Sequence, residues 1–240
     1  MENYFKERPK VIYKYYPPTE YSLDALLNHY FWFSKRELLN DPFDLGNFSK
    51  GRTIFNMRQF VIKSIINRLG LDINEQLLSS LLPQYASCSF SRDLFNKQMW
   101  AYYAKDYHGW CLEFEVGKLN TKNDAPLLPA IYVDNNFQLL NPSIDNSLYG
   151  SKAIEQLIRQ VLCTKHESWQ HEEEERIVLE MKKQGNGDAR KWGTYKLLSI
   201  TMGNKIAAPH RNILTYIANQ LENVPLNEIK LSKKDFELTI

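Results

Sequence analysis

The chain predicts an α+β domain around a mostly antiparallel sheet, and three observations point there. Short segments that alternate apolar and polar residues recur from residues 11–16 through 110–116 to 196–202. Helical patterns lie among them without the strict strand–helix alternation of a doubly wound sheet. The 240 residues are 43% hydrophobic and 24% charged, which suits one domain with a real core and excludes a disordered chain.

The elements follow in order. Residues 11–16 read as a strand stopped by Pro17 and Pro18. Ser22 is placed to cap a short helix running to Asn28, with Leu23, Leu26 and Leu27 on one face. Residues 30–33 form an aromatic strand, and Asn40-Asp41-Pro42 is a turn signature. Ile62, Ile65, Ile66 and Leu69 fall at helical spacing in a helix over 53–69, which Gly70 ends. A second helix covers 74–82 before Pro83, so residues 53–83 make a helical insertion. Residues 87–91 are a strand with Ser87, Ser89 and Ser91 on one face. Residues 97–106 are a helix, 110–116 a strand, 130–133 a strand and 151–163 a helix. Residues 184–188 read as a loop and 196–202 as a strand ending at Gly203. A helix over 210–221 and closing strands near 228–231 and 235–239 complete the chain.

Thirty basic side chains against 28 acidic ones leave a formal charge of +2, which predicts no broad polyanion-binding face. Aromatic residues reach 13%, enough to build a core and to leave a few rings for stacking on a flat ligand. Cys88, Cys111 and Cys163 are widely spaced, as expected of free buried thiols in a reducing compartment. The charged N-terminal residues hold no signal core and no apolar run reaches spanning length, so the expectation is a cytoplasmic protein without membrane contact.

The segment Trp169-Gln-His-Glu-Glu-Glu-Glu-Arg-Ile-Val-Leu179 concentrates the chemistry. Four carboxylates run into a β-branched tail. If that tail is a strand, its period of two places Glu172, Glu174 and Arg176 on one face, with Glu173 and Glu175 on the other. Carboxylates and a guanidinium at a strand entrance must be solvated, paired or used, so the segment reads as a site edge or as a solvated acidic turn. His166-Glu167 and His171-Glu172 are spaced by five, too far round a helix for a shared zinc, and no metal site is predicted. Glu180-Met-Lys182 after a strand is a weak match to a Mg-dependent nuclease, with Asp134, Glu113 or Glu115 as a further acid. A third alternative is a non-enzymatic interaction module whose acidic segment meets a basic partner.

Several motifs together resemble a bacterial family known as domain of unknown function 2971. They are Tyr13-Lys14-Tyr15, Leu26-Leu27, Phe31-Trp-Phe-Ser34 and Leu39-Asn-Asp-Pro-Phe-Asp44. Ser87-Cys-Ser-Phe-Ser91, Met99-Trp100 with Tyr103, and Gly109-Trp-Cys-Leu-Glu-Phe114 continue the pattern. Lys165, Trp169, Glu172, Glu174, Arg176 and Ile200-Thr-Met-Gly203 end it, so the likeness runs from about residue 11 to 239.

A Tyr-basic-Tyr strand, a short helix, an aromatic strand with Ser and a late Glu-x-Glu also resemble, more remotely, the order of motifs in ADP-ribosyltransferases. That resemblance implies a split sheet that clamps NAD as substrate and an unknown macromolecular acceptor, protein or nucleic acid. A role as a toxin or phage-defence effector, with an antitoxin as partner, is in the habit of such enzymes. Carried over, Lys14 takes the first-strand basic position, although His or Arg is usual there. Ser89 or Ser91, or the aromatics Tyr30 and Trp32, take the second. Glu174, or else Glu172, takes the third. The expected roles are Glu174 as the carboxylate facing the ribose and Glu172 as acceptor of a proton. Arg176 would hold the carboxylates or meet the pyrophosphate, Lys14 would meet a phosphate, and Tyr13 or Tyr15 would stack on nicotinamide. Ser89 and Ser91 would position the ribose or neighbouring side chains.

Overall fold

The structure is a computed structural model that describes residues 8–35, 38–41, 84–119, 125–133, 158, 162–181, 185–221, 224–232, 234–235 and 237–240. The helices expected at 53–69 and 74–82, most of that at 151–163, and the residues Asp134 and Lys182 lie outside this set.

The first half contributes β1 (Val11–Tyr16), α1 (Glu20–Leu27), β2 (Tyr30–Lys35), β3 (Tyr85–Ser91), α2 (Lys97–Tyr102) and β4 (Trp110–Glu115). Then come β5 (Leu127–Pro129), β6 (Ile131–Val133), β7 (Thr164–His166), a 3-10 turn (Glu167–Glu172) and β8 (Glu174–Glu180). The last part adds β9 (Gly187–Lys191), β10 (Lys196–Met202), α3 (Ala208–Gln220), β11 (Leu226–Glu228), β12 (Lys230–Leu231) and β13 (Leu238–Thr239). Among the described residues, nine strands form one open sheet, ordered β11-β10-β4-β1-β3-β2-β9, with β8 joining β3 to β5. Its pairs are antiparallel except β10 with β11. The mixed α and β class with a mostly antiparallel sheet is therefore the observed one. No helix among the described residues is long and apolar enough to cross a membrane.

Strand β3 is the pivot. One of its edges is paired along its whole length by β8, from Tyr85↔Glu180 to Ser91↔Glu174. The other edge is shared: β1 meets it only at Tyr13↔Ser91, and β2 only at Ser34↔Ser87 and Lys35↔Ala86. Between those two junctions the sheet parts beside Cys88–Phe90. Backbone groups left there without a ladder partner need another one, and Lys14 Nζ supplies it by donating to the Ser89 carbonyl at 2.7 Å.

Period two sorts the side chains onto two faces. Ile12, Phe31, Phe33, Phe90, Phe114, Ile177 and Ile200 pack on one, beneath Leu26 of α1 and Leu214 and Ile217 of α3. Phe31 centres this core, with Phe90, Phe114 and Tyr195 edge-on at 5.0, 5.0 and 5.5 Å. On the opposite face Tyr15, Cys111, Met99 and Trp100 pack with Ile229 and Leu238. Cys88, Cys111 and Cys163 are free and buried.

Several boundaries differ from the sequence expectation. Thr19, not Ser22, caps α1, accepting from the Ser22 amide at 3.2 Å, because Pro17 and Pro18 bring the chain in one turn earlier. The loop expected at 184–188 bends at 185–186 but ends early, at β9, an edge strand that carries no apolar alternation and is held by backbone pairing to β2 from Tyr30↔Lys191 to Ser34↔Gly187. Gly187 is needed there, since a Cβ would sit 2.3 Å from the Phe33 carbonyl oxygen. The strand expected at 130–133 is β6, and a further short strand, β5, precedes it and ends at Pro129.

Helix α2 stops at Tyr102 rather than 106, because Lys105, Asp106 and Tyr107 turn left-handed with φ of 49, 52 and 66°. Such a conformation costs about 1–2 kcal/mol for each L-residue. The turn is held by amide donation from Asp106 to Ala101 O and from Gly109 to Ala104 O, both at 2.8 Å, and by the Tyr107 ring on Trp100 at 5.9 Å. The approach is so close that a Cβ on Gly203 would lie 2.0 Å from the Tyr107 carbonyl oxygen. Gly203→Ala is expected to destabilise the protein by about 1–3 kcal/mol, measured as a lower urea midpoint at an unchanged slope.

Candidate functional site

The parted stretch of the sheet opens into a cavity of about 190 Å3 on the face of Tyr13, Trp32, Ser34, Ser87 and Ser89. The site residues expected from the sequence gather here: Tyr13, Lys14, Tyr15, Ser89, Glu172, Glu174 and Arg176 all line it. Ser91 does not. It is fully buried behind the wall, where its hydroxyl donates to the Glu172 carbonyl at 2.9 Å, so it positions the backbone of the acid instead of meeting a ligand.

The acid segment folds in two steps. Register with β3 puts Glu174 opposite Ser91 and Arg176 opposite Ser89, so both point to the cavity face. Glu172 is not on the strand; it ends the 3-10 turn, and Glu173 links the two in a left-handed conformation with φ of 43°. The kink brings Glu172 round to the same cation as Glu174, where an extended chain would have used strand alternation. Glu173 is exposed, while Glu175 is buried on the far face against Arg92.

Lys165 is that cation. It enters on β7, which runs parallel to β6 in the register Tyr132↔Lys165. Its Nζ donates to Glu172 Oε2 at 2.5 Å and to Glu174 Oε2 at 3.1 Å, and lies 4.7 Å from the Trp169 ring centre. Arg176 donates from Nε to Glu174 Oε1 at 2.5 Å, from Nη2 to Glu174 Oε2 at 3.0 Å, and from Nη1 to the Leu162 carbonyl at 2.5 Å. Of its two expected roles, the geometry gives Arg176 that of holding the carboxylate. Its guanidinium is 1% exposed and turned to protein acceptors. Glu172 has fewer donors: Lys165 on one oxygen and the Tyr103 hydroxyl on the other, at 2.7 Å.

These surroundings drive the two acids apart. Burial opposes the Glu174 charge, but Arg176 and Lys165 outweigh it and hold the carboxyl at about 2. Burial raises Glu172, and the neighbouring Glu174 charge adds to the rise against the pull of Lys165. Burial also opposes the Lys165 charge, yet the two carboxylates prevail and raise it. Tyr13, which donates to Glu113 at 3.4 Å, is pushed up to about 12 by burial and that carboxylate.

Two expected binding roles change on the page. Tyr15 is 6% exposed, donates to the backbone carbonyls of Asp93 and Leu94, and packs edge-on against Trp100 at 5.3 Å, which commits its ring to the core. Trp32, 46% exposed on the cavity wall, is the open aromatic surface instead. Glu180, the acid of the nuclease alternative, is exposed at the end of β8 away from Glu174, and neither it nor Glu113 lines the cavity. The sequence singled out neither Lys165 nor Tyr103 for a role. The available signal was that both stand among the motif residues shared with the resembled family.

The chain is thus a mixed α and β protein with an open, mostly antiparallel sheet, and its site is a pair of buried carboxylates held by two cations. Residues 99–177 match the model of the family described as Protein of unknown function (DUF2971). That stretch, about a third of the chain, takes in Tyr103, Lys165, Glu172, Glu174 and Arg176, and supports the family resemblance where the ionic network lies. No curated protein and no solved structure matches the chain.

Two outcomes follow from the charge pairing. Arg176→Met leaves a buried carboxylate short of its main partner and is expected to lower stability by about 3–5 kcal/mol. Replacing Arg176 and Glu174 together with Met and Leu is expected to cost far less, as urea unfolding of both variants would read.

The pH dependence has opposite signs at the two acids. Glu174 falls from 4.5 to about 2 on folding, so its stabilisation is complete above 4.5 and is lost as pH falls through 2. Glu172 rises above 4.5, so its contribution is complete below that value and is lost as pH climbs through the folded one. Glu174→Gln is therefore expected to flatten the acid limb of stability, measured by urea unfolding between about pH 2 and pH 6.

Proposed function

We propose that this protein transfers ADP-ribose from NAD to a macromolecular acceptor, with Glu172 and Glu174 as its two working acids. The observation that carries the proposal is the pair itself: two carboxylates on one lysine, driven apart in proton affinity, beside a cavity where the sheet parts. A residue that stays ionised and another that titrates nearer neutrality are the two functions a glycosyl transfer needs.

NAD supplies a nicotinamide–ribose bond whose breaking leaves positive charge on the sugar, and nicotinamide departs with the bonding pair. Glu174 is a fixed negative charge for that sugar. Such preorganised groups are worth about 2.7–4 kcal/mol in rate. Glu172 has acceptor capacity left beyond Lys165 and Tyr103, and takes the proton that the acceptor hydroxyl or amine gives up as it bonds to the ribose. Trp32 offers the face for a flat ring. Among the described lining residues Lys14 carries a charge with no carboxylate on it, so it is the group that would meet a phosphate. The cavity volume, below the roughly 300–1,000 Å3 of ligand pockets, suits the nicotinamide-riboside end of the dinucleotide and leaves the adenosine outside it.

A second reading has one observation in its favour. Glu174 already receives donors from Arg176 and Lys165 on both oxygens, as a structural clamp in an interaction module would.

Labelled NAD with cell lysate separates the two. Wild type is expected to transfer label and release nicotinamide, and Glu172→Gln, shown folded by its urea transition, to lose at least about 100-fold. Folded wild type that releases no nicotinamide and labels nothing would leave the clamp. Cutting of nucleic acid that requires Mg2+ would replace both readings with the nuclease.

A further inference from the structure

Tyr103 follows directly on α2, where the helix ends in its C-cap, and its half-buried ring reaches the cavity wall. Its hydroxyl donates to Glu172 Oε1 at 2.7 Å, the oxygen that Lys165 does not bond. We propose that Tyr103 is the positioning residue that fixes the Glu172 carboxylate at the cavity wall and sets its proton affinity.

The direction of control follows from the donors. Tyr103 stays protonated, since burial and the Glu172 charge raise it far above neutrality, so it always offers its proton to the carboxylate. A hydrogen bond to the ionised form favours that form. Without that donor Glu172 is a stronger base, and its plane is fixed by Lys165 alone.

Other charges face Glu172 and set the background for this effect. Lys165 from β7 and Glu174 from β8 act on it directly, and Tyr132 from β6 lies within their field. Arg176 pairs with Glu174 behind them, while Lys14 and Asp41 stand elsewhere on the cavity wall. None of these moves when the Tyr103 hydroxyl is removed, so a change on that removal belongs to the hydrogen bond.

The proposal builds on the proton-carrier role of Glu172, and its test reads the proton without reading turnover. In protein labelled with 13C at glutamate side chains, the Glu172 carboxyl is assigned as the resonance absent from Glu172→Gln and is followed against pH. Tyr103→Phe keeps the ring and is expected to move that titration upward by about one pH unit. An unchanged Glu172 titration in folded Tyr103→Phe overturns the proposal. Should the titration move as expected while wild type consumes no NAD, the positioning role stands and the transferase reading fails.

Discussion

Lys165 holds two carboxylates at once in a place with almost no water, and the local architecture answers to that contact. Removing an ion from water costs several kcal/mol even after the protein relaxes. Lys165, Glu172, Glu174 and Arg176 are all buried, so the four are tolerable only as a neutral set. That requirement explains features that otherwise look unrelated. β7, paired parallel with β6 in a separate two-stranded sheet, carries the lysine that both acids bind. Glu173 takes a left-handed backbone at the junction of the 3-10 turn and β8, between the two acids that share the lysine. Ser91 spends its hydroxyl on the Glu172 carbonyl, which fixes the end of the 3-10 turn.

A buried ionic cluster of this kind is seldom the most stable way to fill its volume, since well-packed apolar side chains do as well or better. Its place in the fold is also unusual. It borders the one stretch of β3 whose edge the flanking strands leave, among the described residues, and there a lysine from β1 stands in for a strand. A continuous sheet would have closed that gap with Lys14 on the surface. With β1 and β2 drawn to opposite ends of β3, strand residues Lys14, Ser87, Ser89, Glu174 and Arg176 line part of the cavity wall. Side chains on strands hold position better than those on loops.

Much of this was legible, and the reasons for the rest are specific. Alternation gave β1, β3, β4 and β10 because each buries one aromatic or aliphatic face against helices. It could not give β9, whose residues Gly187–Lys191 are chosen for pairing along an open edge and show no apolar period. The period of two found Glu174 and Arg176 correctly and Glu172 for the wrong reason, since a left-handed residue, not strand geometry, brings Glu172 to its partners. Lys165 and Tyr103 stayed hidden as participants because their roles depend on contacts across 7 and 69 positions of sequence. Tyr15 was misjudged in the other direction: beside a lysine on an aromatic strand it resembled a ligand platform, yet Trp100 claims its ring.

The hydrogen-bond inventory also decides how the two acids divide the work. An ionised carboxylate offers about four acceptor sites, and Glu174 has Arg176 on both oxygens with Lys165 on one of them. To bind a ligand group it would have to surrender one of these charge-assisted bonds, each stronger than a neutral contact. Its negative charge is better used from behind, where it keeps Lys165 protonated and keeps the field at the cavity constant through a proton transfer. Glu172 is in the opposite position. It has sites to spare, a partner on each oxygen to fix its plane, and a proton affinity already moved toward the range in which a base exchanges its proton. The remote resemblance already gave the proton to Glu172 and the fixed charge to Glu174, and under the proposed transfer the partners of the two carboxylates suit that division.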